Sequence, residues 1–125
     1  MTEELEKMNN GFIKHHEFEL VSQSKDKVVI KAPLKENTLN PYGMAHGGFI
    51  FSLGDTAMGV HCFTLNHQGV TLNASINYIK PGKGSYLTAE SELIKEGSHI
   101  SFFKANIYDE EHNLIANMES NYYYK

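Results

Sequence analysis

The longest apolar stretch of the chain runs from Gly47 to about Leu65, and Asp55 is the only acidic residue within it. The stretch is too long for a typical strand and suits a helix. Because apolar or small residues occupy nearly every side of such a helix, we expect the rest of the fold to enclose it. The pattern therefore predicts a buried central helix over residues 47–65.

Four segments after this helix are predicted as strands: Val70–Ile79, Tyr86–Lys95, His99–Tyr108 and Leu114–Tyr123. The first alternates between apolar and polar side chains, so one of its faces is predicted to be polar. Its apolar positions are Val70, Leu72, Ala74, Ile76 and Tyr78, and its polar positions are Thr71, Asn73, Ser75 and Asn77. Short connections join the four segments, which predicts that successive strands are antiparallel neighbours.

The chain before the central helix has a weaker pattern. Residues 2–15 predict a short polar helix, because apolar residues recur there at helical spacing beside several glutamates. Glu17–Ser22 and Lys27–Ala32 predict a hairpin with a polar turn between its strands. Residues 33–46 contain two prolines together with asparagines and a glycine, and predict a loop.

Two strands, one long buried helix and four further strands predict an α+β fold, with a curved antiparallel sheet wrapped around the central helix. A chain of 125 residues suits a single domain. A sheet of this kind covers one side of the helix and leaves its own edges open. We therefore expect a homodimer at least.

Composition and charge exclude several classes of function. A hydrophobic fraction of 41%, with seven Phe and seven Tyr, supplies one core, and a net charge of -4 with scattered Lys and Arg disfavours nucleic-acid binding. The acidic N-terminus does not resemble a signal peptide, and no run approaches the roughly 18 apolar residues of a membrane span. A single cysteine fits a reducing compartment, so we expect a cytoplasmic protein with no membrane partner.

Asp55 is the first candidate for chemistry. A carboxylate inside an apolar helix costs free energy unless it is paired or useful. It fits a general base or a nucleophile, because burial shifts the pKa of such a group toward its task. A structural carboxylate within a subunit interface is the alternative.

His46-Gly47-Gly48 marks the start of the central helix, where backbone N–H groups lack partners and the helix dipole is positive. The glycines allow a substrate carbonyl to approach these amides, as an oxyanion hole requires, although a tight turn that merely needs glycine fits equally well. Gly47 and Asp55 are eight residues apart, or about 12 Å along a helix. Two helices packed antiparallel across a two-fold axis would bring Asp55 of each chain to the helix start of the other.

Other residues give weaker signals. Taken alone, Asn40 before Pro41 favours a turn, and Thr71 is an ordinary strand residue. Cys62 directly follows His61, and adjacent helical residues diverge by about 100°, so Cys62 is predicted to be a core thiol. We found no nucleotide-binding motif, no GxSxG and no trusted metal-ligand spacing, and expect neither a metal nor a cofactor.

Taken together, Asn40, His46-Gly47-Gly48, Asp55-Thr56-Ala57 and Tyr78-Ile79-Lys80-Pro81-Gly82 resemble the hotdog-fold thioesterases of the phenylacetic-acid-degradation type. The resemblance covers about Asn40 to the C-terminus. Its specificity lies in the joint spacing from the asparagine to the histidine and on to the aspartate. It implies a hotdog fold that hydrolyses small, medium or aryl acyl-CoA to free acid and CoA, as a dimer or a dimer of dimers.

The resemblance also implies roles for individual residues. Asn40 and the Gly47 amide polarise the thioester carbonyl, Asp55 of the partner chain activates water or attacks directly, and Thr71 helps to hold that water or carboxylate. His46 is structural. Lys80 and the turn containing Lys95, Gly97 and Ser98 would bind the CoA phosphates.

Some alternatives stay open. Many relatives have Lys or Arg where this chain has Ser98, and Arg where it has Lys80, so acyl carrier protein is an alternative carrier of the acyl group. The domain could instead bind acyl-CoA or lipid without catalysis. A hotdog dehydratase acting on hydroxyacyl thioesters is a third hypothesis, but it needs a histidine paired with an acid, and His46 is poorly placed for that.

Overall fold

The computed structural model describes residues 11–125. In chain order it contains helix α1 (Gly11–His15), strands β1 (Glu19–Gln23) and β2 (Lys27–Pro33), a 3-10 turn (Glu36–Thr38), helix α2 (Gly47–Thr64), and strands β3 (Val70–Tyr78), β4 (Tyr86–Glu96), β5 (Ile100–Asp109) and β6 (Leu114–Tyr123). Each predicted strand and the central helix are confirmed with small changes at their ends. Of the helix predicted over residues 2–15, Gly11–His15 is confirmed, and residues 2–10 lie outside the described part of the chain.

The strands form one six-stranded sheet in the order β1-β2-β4-β5-β6-β3, with every neighbouring pair antiparallel. Helix α2 packs against β2 to β6. A sheet wrapped on one main helix is the predicted α+β arrangement, the hotdog fold. None of the helices in residues 11–125 is both long enough and apolar enough to cross a membrane.

The prediction that β3 and β4 are neighbours is wrong, because β3 pairs with β6. The link of residues 79–85 has seven residues and spans up to about 23 Å when extended. Three strand spacings, from β3 across β6 and β5 to β4, need only about 14 Å. Backbone N–H groups of Ile79 and Lys80 bond to the Ile115 carbonyl and hold the link against the sheet.

Both ends of α2 are fixed by local hydrogen bonds. At the start, Nδ1 of His46 accepts from the Gly48 N–H at 2.8 Å and caps the helix. At the end, Asn66 has a positive φ of 67°, and the N–H groups of Asn66 and His67 bond to the carbonyls of Phe63 and Cys62. This is the Schellman pattern, which satisfies carbonyls that the helix leaves unpaired.

The core lies between α2 and the sheet. Leu53, Ala57 and Met58 of the helix and Phe103 of β5 are fully buried, and burying each large apolar side chain stabilises the fold by about 1.5–3 kcal/mol. Gly54 allows the close approach of helix and sheet, because a Cβ there would lie 2.1 Å from Sδ of Met118.

A β-bulge at the start of β3 changes the predicted faces of this strand. Thr71 pairs with Tyr122 and Asn73 with Asn121, so Leu72 is an extra residue. From Asn73 onward the predicted alternation holds, but Thr71 turns to the helix side and Val70 to the outer side, beside Tyr123. The prediction that Thr71 shares the polar outer face is therefore wrong.

His61 is a fully buried polar residue of α2. Its Nε2 lies 2.7 Å from the Lys25 carbonyl and its Nδ1 lies 2.9 Å from the Ser91 hydroxyl. A carbonyl only accepts, so Nε2 carries the proton and Nδ1 accepts from Ser91. Burial lowers the pKa of His61, opposed by the bond to Lys25 and the charge of Asp26. Neutral His61 thus ties the helix to the β1–β2 turn and to β4.

This pKa shift predicts a pH dependence of stability. In the unfolded chain this histidine has the ordinary pKa of about 6.5, whereas native His61 has a lower pKa and resists protonation until the pH falls further. The stabilisation is therefore fully present above pH 6.5 and is lost as pH falls below it. We expect His61→Gln to cost about 1–3 kcal/mol near neutral pH. It should also flatten the decline in unfolding free energy between about pH 7.5 and about pH 5.5, measured by urea denaturation.

His99→Gln, which replaces an exposed histidine, is the matched control and should keep the wild-type pH dependence. An equally steep decline in His61→Gln would contradict the assignment.

Candidate active site

The Asp55 carboxylate is held by two hydroxyl groups from adjacent strands. Thr71 of β3 donates to Oδ1 at 2.9 Å, and Tyr122 of β6 donates to the same oxygen at 2.6 Å. Within residues 11–125, Oδ2 accepts no hydrogen bond. Asp55 is half-buried, so this second oxygen is available to a substrate or a water molecule.

Tyr122 is buried, with 3% of its surface exposed. Burial raises the pKa of its phenol, and the charge of Asp55 and the hydrogen bond to it raise the pKa further. The phenol therefore keeps its proton and acts as a donor. It also reaches the Asp55 carbonyl at 2.7 Å, so one hydroxyl fixes both the backbone and the side chain of Asp55.

Asn40 lies in the loop before α2 with its side-chain amide in a defined orientation. Its Oδ1 accepts from the backbone N–H groups of Tyr42 and Met44 at 2.9 and 3.1 Å. Both partners are donors, so the orientation of the amide is fixed and Nδ2 points away from them. Nδ2 has no acceptor in the described part of the chain and is a free donor.

Gly47 begins α2 next to Asn40. Its N–H also has no acceptor among residues 11–125, whereas the Gly48 N–H is occupied by His46. Tyr78, at the end of β3, donates to the Gly47 carbonyl at 2.8 Å, and its ring lies so close that a Cβ on Gly47 would be 3.3 Å from it. Asn40 and Gly47 thus offer two N–H donors to one groove of about 280 Å³, which Ile50, Tyr78 and Lys80 also line.

The residues implied by the family resemblance fall into three groups. Asn40, His46, Gly47, Gly48 and Lys80 lie at the start of α2, and Asp55 and Thr71 lie together near its middle. Lys95 lies at the end of β4, and Gly97 and Ser98 lie in the β4–β5 turn, at the other end of the sheet beside Val70. Strand β3 runs from Val70 to Tyr78, which is about 26 Å, and Lys80 lies two residues beyond its end. No single chain brings the three groups together.

Other candidate chemistry has less support. Burial raises the pKa of the Cys62 thiol to about 11, and Cys62 is only 1% exposed, so it is a core residue as predicted. Residues 11–125 contain no cluster of three or more His, Cys, Asp or Glu side chains suited to a metal ion. At the far end of α2, Nε2 of His67 lies 2.7 Å from Oε2 of Glu96, and the His67 ring stacks on the ring of Tyr124.

Two tyrosines at the site had no predicted role. Tyr78 belongs to the segment Tyr78–Gly82 of the family resemblance, which implies no contact for it. Tyr122 belongs to a C-terminal run of three tyrosines whose pattern predicts only a strand. The bulge at Leu72 decides which hydroxyls meet Asp55, and strand alternation alone does not reveal a bulge.

Comparisons with known proteins identify the family to which the chain belongs. The model of the thioesterase superfamily matches residues 42–116. The acyl-coenzyme A thioesterase PaaI of Escherichia coli is 28% identical over 112 residues, covering 86% of this chain and 78% of that protein.

Solved structures are similar over most of the chain. The structure of the E. coli PaaI protein from the phenylacetic acid degradation operon superposes with a TM-score of 0.90 at 21% identity, covering 97% of this chain and 88% of that one. A hypothetical thioesterase from Streptococcus pneumoniae, solved with coenzyme A, has a TM-score of 0.83 at 30% identity and covers 86% and 85%. Other structures from that organism carry an Asp-to-Ala and a Thr-to-Ala substitution 16 positions apart.

Asp55 and Thr71 are separated by the same 16 positions. The family match covers more than half of the chain, and the sheet wrapped on α2 is the fold of the superposed proteins. On this basis the chain belongs to the thioesterase superfamily, as a hotdog-fold thioester hydrolase.

Proposed function

We propose that this protein is an acyl-CoA thioesterase that hydrolyses small, medium or aryl acyl-CoA to the free acid and CoA. The observation that carries the proposal is the Asp55 carboxylate, which has one oxygen held by two donors and the other free. The relative named as an acyl-coenzyme A thioesterase and the streptococcal protein with bound coenzyme A support the choice of substrate.

The site is completed by a second copy of the chain. Within the described sheet, β3 has β6 as its one neighbour, and Val70 and Leu72 are 63% and 54% exposed. Such an open, apolar edge favours pairing with another strand. Two β3 edges paired antiparallel about a two-fold axis place the start of one strand against the end of the other.

This pairing brings together two half-sites, the Asp55 carboxylate of one chain and the Asn40 and Gly47 donors of the other. Asp55 is bonded to Thr71 at the start of β3, and Gly47 is bonded to Tyr78 at its end. Antiparallel pairing therefore sets Asp55 beside the partner's Gly47, which overcomes the separation of about 12 Å along one helix. The same symmetry brings Lys80 of one chain toward the turn at Lys95 and Ser98 of the other, where both can contact the CoA phosphates.

The chemistry needs these groups and a water molecule, without a metal or cofactor. The amide of Asn40 and the Gly47 N–H donate to the thioester oxygen as negative charge develops there. In one route Oδ2 of Asp55 removes a proton from water, the water oxygen attacks the carbonyl, the C–S bond breaks, and the thiolate takes that proton and leaves as CoA. In the other route Oδ2 attacks the carbonyl and displaces the CoA thiolate to form a mixed anhydride, which water then cleaves to the free acid and Asp55 while supplying the proton of the thiol. A single turnover in water labelled with heavy oxygen distinguishes the two routes, because the label can enter the side chain of Asp55 only in the second.

The proposal extends to the setting of the reaction. Acyl-CoA is favoured over acyl carrier protein by the superposed structure with bound coenzyme A. The single cysteine supports a cytoplasmic location. A dimer of two such dimers is the assembly implied by the family resemblance.

Replacing Asp55 tests the mechanism. We expect Asp55→Asn to lower kcat by about 10²–10⁴-fold, because it removes the only proposed base or nucleophile while preserving shape. The measurement is release of thiol from a panel of acyl-CoAs. Asp26→Asn, which removes an exposed carboxylate in the β1–β2 turn, is the control and should keep wild-type rates.

Wild-type turnover by Asp55→Asn would overturn the role of Asp55. Tight binding of CoA esters by the wild-type protein with no thiol released would favour a non-catalytic binding domain. Conversion of hydroxyacyl-CoA to the enoyl product would favour a dehydratase.

Mixing two inactive variants tests whether the site is shared. Asp55→Ala and Asn40→Ala each damage both sites of a homodimer. A mixed dimer places wild-type Asp55 and wild-type Asn40 together in one of its two sites. We therefore expect activity to reappear when the two variants are unfolded together and refolded, to about a quarter of the wild-type rate, because half of the random dimers are mixed.

No recovery, with dimers verified by light scattering, would show that Asn40 and Asp55 of the same chain act together. Each variant unfolded and refolded alone is the control and should stay inactive.

A further inference from the structure

The two hydroxyls at Asp55 come from residues that face each other across a strand pair. Thr71 of β3 is in register with Tyr122 of β6, and the bulge at Leu72 turns Thr71 to the same side of the sheet. Both donate to Oδ1. A carboxylate with two donors on one oxygen is restricted in rotation, and its other oxygen is left with a defined direction.

The ring of Tyr122 is held in place by its surroundings. It is 3% exposed and meets the Phe103 ring edge to face, with centroids 5.6 Å apart at 88°. Gly59, one helical turn after Asp55, leaves ordinary room for the hydroxyl, since a Cβ there would lie 3.6 Å away. A side chain fixed in this way can hold its hydrogen-bond partner with little motion.

We infer that Tyr122 is a positioning residue for the proposed hydrolysis: together with Thr71 it occupies Oδ1 of Asp55 and leaves Oδ2 as the oxygen that reacts. The inference rests on the proposed function and assigns a part of the site to β6. Tyr122 does not contact the reacting atoms and acts only through Asp55.

Tyr124, two residues after Tyr122 and just beyond the end of β6, offers a matched comparison. Tyr124 is also buried, at 2% exposed, but its hydroxyl contacts Ser101 and the Gly97 carbonyl. Tyr122→Phe and Tyr124→Phe therefore remove the same atom from similar burial, and only the first loses a contact with Asp55. Any loss of stability should be similar in the two variants.

For Tyr122→Phe we expect kcat to fall by about tenfold to a hundredfold, because the carboxylate is no longer held in one orientation. KM should be unchanged, and Tyr124→Phe should keep the wild-type kcat. A tyrosine that served only the fold would leave kcat as it is in Tyr124→Phe.

Thr71 variants check the second donor. Thr71→Ser keeps the hydroxyl and should retain most activity, whereas Thr71→Val should lose it. The double variant Thr71→Val with Tyr122→Phe should be non-additive, since both donors act on one oxygen. Thermal unfolding of each variant separates loss of folding from loss of positioning.

A readout that does not need turnover keeps the inference separate from the proposed function. The ¹³C chemical shift of the Asp55 carboxyl carbon, followed by NMR at one fixed pH, should change in Tyr122→Phe, because a hydrogen bond to Oδ1 is lost, and should be unchanged in Tyr124→Phe. Wild-type kinetics and a wild-type carbon shift in Tyr122→Phe, with Asp55→Asn inactive, would overturn the inference and leave the function intact. No thiol release by the wild-type protein, with the carbon shift changed in Tyr122→Phe, would overturn the function and leave Tyr122 as a positioning residue for another reaction of Asp55.

Discussion

Burial of helix α2 against one curved sheet is the constraint on which the other features depend. Leu53, Ala57 and Met58 pack onto the sheet, and Gly54 allows Met118 to approach the helix axis closely. Because the helix is anchored along its length, Asp55 is placed at a fixed height above β3 and β6. The cost of a carboxylate in this position is offset by the hydroxyls of those two strands.

The length of the same helix is the reason that the proposed active site is shared between two chains. In that proposal the helix start supplies donors for an oxyanion and the helix middle supplies a carboxylate, and these are about 12 Å apart on a rigid rod. Asp55 is hydrogen-bonded to Thr71 at the start of β3, and Gly47 is hydrogen-bonded to Tyr78 at the end of the same strand. In the proposed dimer the exposed edge of β3 links assembly to chemistry, because pairing of the two strands also completes the site.

Much of the fold followed from simple patterns. The apolar run from Gly47 to Leu65 predicts the helix, because few other structures bury so long a stretch, and period-two alternation predicts the strands. The position of β3 beside β6 is not predicted by these patterns, because the seven-residue link between β3 and β4 is long enough whether or not the two strands are paired. Asn40, Gly47 and Asp55 are predicted as site residues from their joint spacing, whereas the contact of Tyr122 with Asp55 is not, because it arises from strand pairing across 67 positions of sequence.

The bulge at Leu72 places one extra residue in an edge strand. Regular pairing that kept Leu72 would set Leu72 opposite Tyr122 and Thr71 opposite Tyr123, and would turn the side chain of Thr71 away from α2. Removing Leu72 would instead leave Thr71 opposite Tyr122 and facing the helix. An alignment with a regular strand therefore needs a gap at Leu72, because without it Thr71 is matched to an outward-facing position and a hydroxyl of the site is misplaced.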